Sequence, residues 1–166
     1  MDQKDFAILD ILQQDARMPV KAIAEKVDLS VSSTHARIKA LRDAGVLRGA
    51  FAEVDPAVFG VGIEALFMIE LAKHKRGTVD TFMDDLLTVP EVRTAHLVTG
   101  RHDVVVHVVA RDTAHLKDLA LDRFTNRPGV TRIEMAIIYD SRQQNVLRNL
   151  LLDNGNASSR QEHQTA

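Results

Sequence analysis

Apolar residues in the first fifty positions recur at helical spacing. Ile8, Leu9 and Leu12 share one face of a helix predicted from about Lys4 to Gln14, and the run Asp15-Ala16-Arg17 ends it. Pro19 suits the first turn of a second helix, in which Ile23, Ala24 and Val27 lie together. Asp28 and Leu29 connect it to a third. Ser30 is a natural N-cap there, because its hydroxyl accepts from an otherwise unpaired amide, and Gly45 is a natural residue to follow the helix end. Three short helices with a tight second connection describe a helix-turn-helix.

After Gly45 the rhythm changes. Residues 46–55 (VLRGAFAEVD) alternate enough for a short hairpin or ribbon, which Asp55-Pro56 stops. Residues 55–61 read as a linker punctuated by Pro56 and Gly60. Beyond it, strands are predicted over 63–72, 92–98, 103–110 and 130–140, with helices over 78–87 and 113–124. The expected fold class is therefore α+β. A three-helix, winged-helix-like helix-turn-helix domain (1–54) precedes a ferredoxin-like βαββαβ domain (62–140). Residues 141–152 are amphipathic and expected to pack on the sheet or on a partner; residues 153–166 are polar and expected to be a disordered tail.

The third helix is short of apolar residues. At about 100° per residue, Thr34, Ile38 and Leu41 form its buried stripe, with Val31 beside it. Ser32, Ser33, Ala36, Arg37 and Ala40 fall on or toward the opposite side. Lys39 and Asp43 flank them, and His35 and Arg42 lie nearer the buried edge, His35 as a packing residue or, in the alternative, a DNA contact. A face that is small and polar at one end and basic at the other fits a DNA major groove. Ser32, Ser33, Ala36 and Arg37 are the groove-facing candidates, with Lys39, Arg42 and Arg48 toward the phosphates. Arg37 is the foremost of these, because a planar fork suits a guanine edge or a phosphate. The competing reading pairs Arg37 with an acidic neighbour in its own domain.

Charge and composition adjust this picture. The 166-residue chain carries a net charge of −2, yet residues 29–48 hold a local excess of three positive charges. Such an excess suits a polyanion, although a solvated helix face also explains it. There is no cysteine, which excludes disulfides and thiolate chemistry and fits a reducing cytosol. The acidic start lacks a signal-peptide pattern, and no apolar run reaches the roughly 18 residues of a membrane span. A cytoplasmic protein with no membrane association is expected. In the second half nearly every strand position is apolar. The sheet face away from the helices must present several of Phe67, Ile69, Val104, Val106, Val108 and Ile137, or their alternate neighbours. A second copy is the simplest cover.

Specific short motifs run through both halves: Asp5 with Ile8-Leu9, DAR at 15–17, LS at 29–30, RIKAL at 37–41, GVL at 45–47, DP with Gly60, VTGRHD at 98–103 and RPGV at 127–130. Together they resemble the Lrp/AsnC family, the feast/famine regulators, over roughly residues 4–150. The resemblance implies a helix-turn-helix joined to a ligand-sensing ferredoxin-like domain (RAM). It also implies homodimers that assemble to tetramers or octamers, and control of transcription tuned by an amino acid. A two-fold dimer would present paired recognition helices to double-stranded DNA at a pseudo-palindromic operator.

The loop Thr99, Gly100, Arg101, His102 and Asp103 is the candidate effector site. Amides in such a turn can converge on a carboxylate, and Asp103 can accept from an α-ammonium or from the loop's own amides. The plain alternative is a hairpin turn; the resemblance favours the effector, because this loop lines the pocket between dimers in relatives. Relatives often carry Thr on the last strand where this sequence has Ile133 and Met135. Those apolar residues can face the pocket, which favours a branched or aromatic amino acid over asparagine. His96, His102 and His107 cluster in the 92–110 hairpin, but no further ligands stand out by spacing, so neither a metal site nor a cofactor is expected. No catalytic constellation stands out. The expectation is a sequence-specific DNA-binding regulator, not an enzyme. The alternatives are a ligand-binding module acting on a partner protein and a low-specificity architectural protein.

Overall fold

The predicted N-terminal helices are α1 (Gln3–Gln14), α2 (Val20–Val27) and α3 (Val31–Asp43). A capping box starts α1: the Asp2 carboxylate accepts from the Lys4 and Asp5 amides at 2.9 and 3.0 Å, and Asp5 accepts from the Asp2 amide at 2.9 Å. Helix α2 ends where Asp28 turns left-handed (φ 52°), which lets the Leu29 amide reach back to Ala24 O at 3.0 Å. Lys4 Nζ donates to Val27 O at 2.6 Å, placing a cation at the negative end of α2. Ser30 caps α3 through the Ser33 amide at 3.1 Å, and left-handed Gly45 follows its end. Ile8, Ile23, Val27, Ile38 and Leu41 are buried together between the three helices.

The structure, a computed structural model, describes residues 1–72 and 76–150. It separates into two compact units: Met1–Ala52 together with the chain from Arg142, and Glu53–Ser141. The second unit starts at Glu53, just ahead of the predicted linker at 55–61, and includes that linker. There the Asp55 carboxylate caps a 3-10 turn over Pro56–Phe59, and Gly60 closes it in the left-handed region (φ 79°).

Strands β1 (Ile63–Leu71), β2 (Val92–Leu97), β3 (Val104–Ala110) and β4 (Val130–Ile138) form one antiparallel sheet in the order β2-β3-β1-β4. Helices α4 (Arg76–Leu86) and α5 (Thr113–Leu119) complete the predicted βαββαβ order. The alternation of side chains sends Ala65, Phe67, Ile69, Val104, Val106, Val108 and Ala110 to the helix side. They are buried there with Phe82, Leu86, Leu116, Leu119 and Phe124, each large side chain contributing about 1.5–3 kcal/mol. Phe67 and Phe124 meet edge to face, ring centres 4.9 Å apart. The open face receives the alternate set: Leu66, Met68, Val105, Val109, Ala136 and Ile138, all short of full burial. Ile137 shares the helix-side register but lies on edge strand β4 and is exposed.

One expectation fails here. Residues 46–55 form no strand, and Phe51 is 93% exposed. A two-stranded ribbon is marginal without a third strand or a helix to pack on, and Phe51 has neither. Residues 141–149 carry no helix or strand, and the chain from Arg142 belongs to the first unit, where Gln13 accepts from the Leu147 amide at 2.7 Å. The predicted tail 153–166 lies outside the described residues.

Candidate functional site

Helix α3 turns Thr34, Ile38 and Leu41 into the core, as its apolar spacing requires. Thr34 is the one buried polar residue among them, and its hydroxyl donates to Ser30 O at 3.0 Å. Ser32, Ser33, Ala36, Lys39, Ala40 and Arg42 are exposed, and so is Arg48 beyond the helix. His35 is exposed too, not packed at the edge as expected. It sits about 100° from Thr34, a quarter-turn beyond the reach of the three-helix core. At the N-terminus of α3 three hydroxyls cluster: Ser30 Oγ lies 3.0 Å from Ser32 Oγ and 2.8 Å from Ser33 Oγ. Lys39 pairs with Asp43 one turn on. That pair is solvent-exposed, so it is weak and leaves Lys39 available to another anion.

Arg37 behaves differently. Its Nη1 donates to Asp2 Oδ2 at 2.8 Å and to Asp5 Oδ1 at 2.7 Å. The other oxygen of each carboxylate serves the capping box, so the start of α1 and the middle of α3 share one network. The amide of the opposite capping residue, followed by the Arg37 guanidinium, holds both carboxyls below the usual range. Hydrogen bonds to Asp5 and then Asp2 raise Arg37 in turn. Sequence reasoning weighed an acidic partner for Arg37 without locating it. The signal was Asp2-x-x-Asp5 ahead of an apolar run, the sequence form of a capping box.

The loop between β2 and β3 is the second site. Gly100 is left-handed (φ 127°), as its turn requires. The Val98 amide donates to Asp103 O, and the Asp103 amide to Ile69 O, both at 2.9 Å. The Asp103 carboxylate accepts from the Leu71 amide at 2.7 Å, beside an irregularity in the β1–β4 pairing. It thus fastens the loop to β1 rather than to the loop's own amides. Arg101 reaches Glu134 at 2.9 Å and Glu70 at 3.4 Å, and His102 Nε2 lies 3.3 Å from Glu134. Arg132 also pairs with Glu134 at 2.9 Å. Thr99 and Gly100 are exposed.

Ile133 and Met135 do not join this group. Ile133 pairs with Ile69 and Met135 with Phe67, so both point to the helix side, whereas Arg101 and His102 gather over Glu134 on the open face. The period of two along β4 separates them. Sequence reasoning missed Glu70 and Glu134, which stand far from the loop in the chain and reach it only through strand pairing. His96 and His107 fall on one face, diagonal to each other. His96 lies 3.2 Å from Thr94, and His107 lies 2.7 Å from Glu64.

The two units match separate domain families. Residues 64–146 match the Lrp/AsnC ligand binding domain, and residues 1–48 match a winged helix-turn-helix DNA-binding domain. The chain is 32% identical over 140 residues to the HTH-type transcriptional regulator AldR of Mycolicibacterium smegmatis, across 84% of this chain and 82% of that one. It is 30% identical over 146 residues to the transcriptional regulator AzlB of Bacillus subtilis, across 88% of this chain and 93% of that one. A solved transcriptional regulator from Neisseria meningitidis in complex with L-Met superposes with a TM-score of 0.83 at 25% identity, covering 92% of this chain and 99% of the other.

Proposed function

The chain belongs to the Lrp/AsnC family of transcriptional regulators, and from that premise we propose which surfaces read DNA, bind the effector and assemble the oligomer. The protein is a DNA-binding regulator with a small-molecule-binding domain, not an enzyme. Among the described residues no helix is long and apolar enough to cross a membrane, and a regulator of this kind works in the cytoplasm on the genome.

The observation that carries the DNA reading is the outer side of α3. Ser32, Ser33 and Ala36 form a small, exposed surface that a major groove accommodates, with Lys39, Arg42 and Arg48 exposed for phosphates. His35 joins the contact surface because it is exposed. Arg37 braces α3 against α1, and its effect on DNA is exerted through the angle of the helix. Selection of sites from random duplexes by the full-length protein tests this, alongside a salt titration. A defined, pseudo-palindromic motif is expected, with affinity falling by a logarithmic slope of about −0.9 per phosphate neutralised. Return of no motif would favour an architectural protein, and indifference to salt would favour an adaptor for a protein partner.

The second unit binds an amino acid at the 99–103 loop, and an apolar side chain suits it better than a polar one. The Neisseria regulator carries L-Met, and Met68 and Val105 lie on the open face next to the charged group at the loop. Calorimetry across the twenty amino acids should find leucine, methionine or phenylalanine bound. Binding of asparagine to the exclusion of these overturns the assignment.

Assembly runs through the open face. Leu66, Met68, Val105, Val109, Ala136 and Ile138 lie on the open face, interleaved with the Glu64–His107 pair and Glu134, on a sheet whose other face is already covered by helices. A face of this kind needs a partner, and a second copy offers the same surface in return. Dimers formed this way associate further to tetramers or octamers. The effector shifts the population among these assemblies by binding some more tightly than others.

A further inference from the structure

Glu70 on β1, His102 in the β2–β3 loop and Glu134 on β4 each offer one ligand atom, and these atoms all lie within 4.8 Å of one another. The side chains are 28%, 18% and 30% exposed, so they sit in a recess of the open sheet face rather than on a free surface. Two positions come from paired strands and the third from a loop that Asp103 fastens to β1. The three are therefore held by backbone pairing, not by a flexible segment.

We propose that Glu70, His102 and Glu134 form a site for a divalent transition-metal ion, zinc or manganese. One imidazole nitrogen and two carboxylate oxygens are the donors that such ions take, and three protein ligands leave a position for water. At metal–ligand bonds of about 2.0–2.1 Å, neighbouring donors of a tetrahedral ion stand about 3.4 Å apart. His102 Nε2 and Glu134 Oε2 already lie 3.3 Å apart. His102 Nε2 is sealed from solvent and faces the Glu134 carboxylate without a well-formed hydrogen bond. A bound ion would engage that nitrogen directly.

The two carboxylates attract a cation whether or not a metal is bound. Arg101 fills that role at both, with Nε 3.4 Å from Glu70 and Nη2 2.9 Å from Glu134, and Arg132 adds a second cation 2.9 Å from Glu134. The Arg101 side chain is 60% exposed, so it can swing to solvent when an ion enters. The metal and the Arg101 guanidinium compete for the same two carboxylates. This assignment does not rest on the DNA or effector readings.

Native mass spectrometry and equilibrium dialysis of the full-length protein with zinc, and separately with manganese, test it. One ion per protomer is expected. His102→Ala and Glu134→Gln should each weaken binding by at least the roughly tenfold that even an outer-shell change costs. Arg101→Ala should strengthen it, because the internal competitor is gone; this variant keeps the test decisive if either of the others folds poorly. His107→Ala, which alters the neighbouring Glu64 pair, should leave it unchanged. No retained ion, or retention that survives His102→Ala and fails to rise with Arg101→Ala, would overturn the site.

Discussion

Arg37 on α3 donates to Asp5 on α1 across 2.7 Å, and the same guanidinium nitrogen reaches Asp2 at 2.8 Å. The residue best suited by chemistry to grip DNA is thereby occupied inside its own unit. Two roles are open to it, and they predict opposite outcomes. If Arg37 sets the angle of α3, Asp5→Asn and Arg37→Ala both weaken operator binding by a similar factor, and the double variant is little worse than either. Coupling of this kind is the mark of residues that act through one network. If Arg37 contacts DNA directly, Asp5→Asn frees it and strengthens binding while Arg37→Ala abolishes it. We expect the first pattern in mobility-shift titrations, with a loss of about tenfold for each single change, equivalent to roughly 1.4 kcal/mol.

The same network makes the first unit sensitive to acid. Asp2 and Asp5 titrate below their ordinary range, each chiefly because the other's amide donates to it and then because of Arg37. A carboxylate whose folded pKa is depressed stabilises the fold above its unfolded value, about 3.9 for Asp, and loses that contribution as pH falls through the folded value. Protection of α1 amides in hydrogen exchange should therefore hold above about pH 5 and decline below about pH 4. The Asp5→Asn variant should start less protected and show a flatter acid decline. An unchanged decline in that variant would place the acid sensitivity elsewhere.

What the sequence disclosed and what it hid follow from the range of the forces involved. The strands were legible because apolar runs bounded by turn residues are local. Nearly every position in them is apolar, however, so which face met the helices was left open; Phe67 and Ile69 lie on the helix side. The buried stripe of α3 was legible because its spacing is local too. The network around Arg37 was not, because Asp2 and Asp5 are distant in the chain and meet it only when α1 packs on α3. Glu70 and Glu134 escaped notice similarly, since strand order β2-β3-β1-β4 brings them to the loop and periodicity carries no strand order. Ile133 and Met135 were joined to the loop through the family resemblance, yet both point to the helix side, because a shift of one residue changes the face. Residues 46–55 had the alternation of a ribbon without a neighbour to pair with.

Gly62 offers a test of packing that composition does not foreshadow. A Cβ there would stand 2.3 Å from the Arg111 carbonyl oxygen, a backbone atom that cannot rotate aside. The Gly62 amide meanwhile donates to Ala110 O at 3.0 Å, so the two chains cannot separate without loss. Gly62→Ala should cost about 1–3 kcal/mol in denaturant unfolding of the full-length protein. Gly60→Ala is the useful contrast: nothing lies within 4 Å of its added Cβ, and only the left-handed backbone opposes it. That variant should lose about 1 kcal/mol. Equal, negligible losses at both positions would mean that the start of β1 is free to shift.

The open sheet face makes the last prediction. Leu66 lies at the middle of it, opposite His107 on β3 and Ala136 on β4, with Met68 and Val105 one pair further along. A carboxylate at Leu66 points away from the helix-side core, so the isolated unit should fold with an unchanged circular dichroism spectrum. In an assembly through this face it would be a carboxylate buried among apolar side chains, at a desolvation cost that disfavours association. Leu66→Asp should therefore sediment as a monomer where the parent sediments as a dimer or larger. Operator affinity should fall by roughly a hundredfold, because a second recognition helix no longer binds at high effective concentration. Phe67→Ala acts on the other face and has a different signature: a loss of about 3–5 kcal/mol in stability with self-association retained at low temperature. A folded Leu66→Asp protein that still dimerises would move the interface off this sheet, and with it the route by which an effector at the loop reaches the DNA.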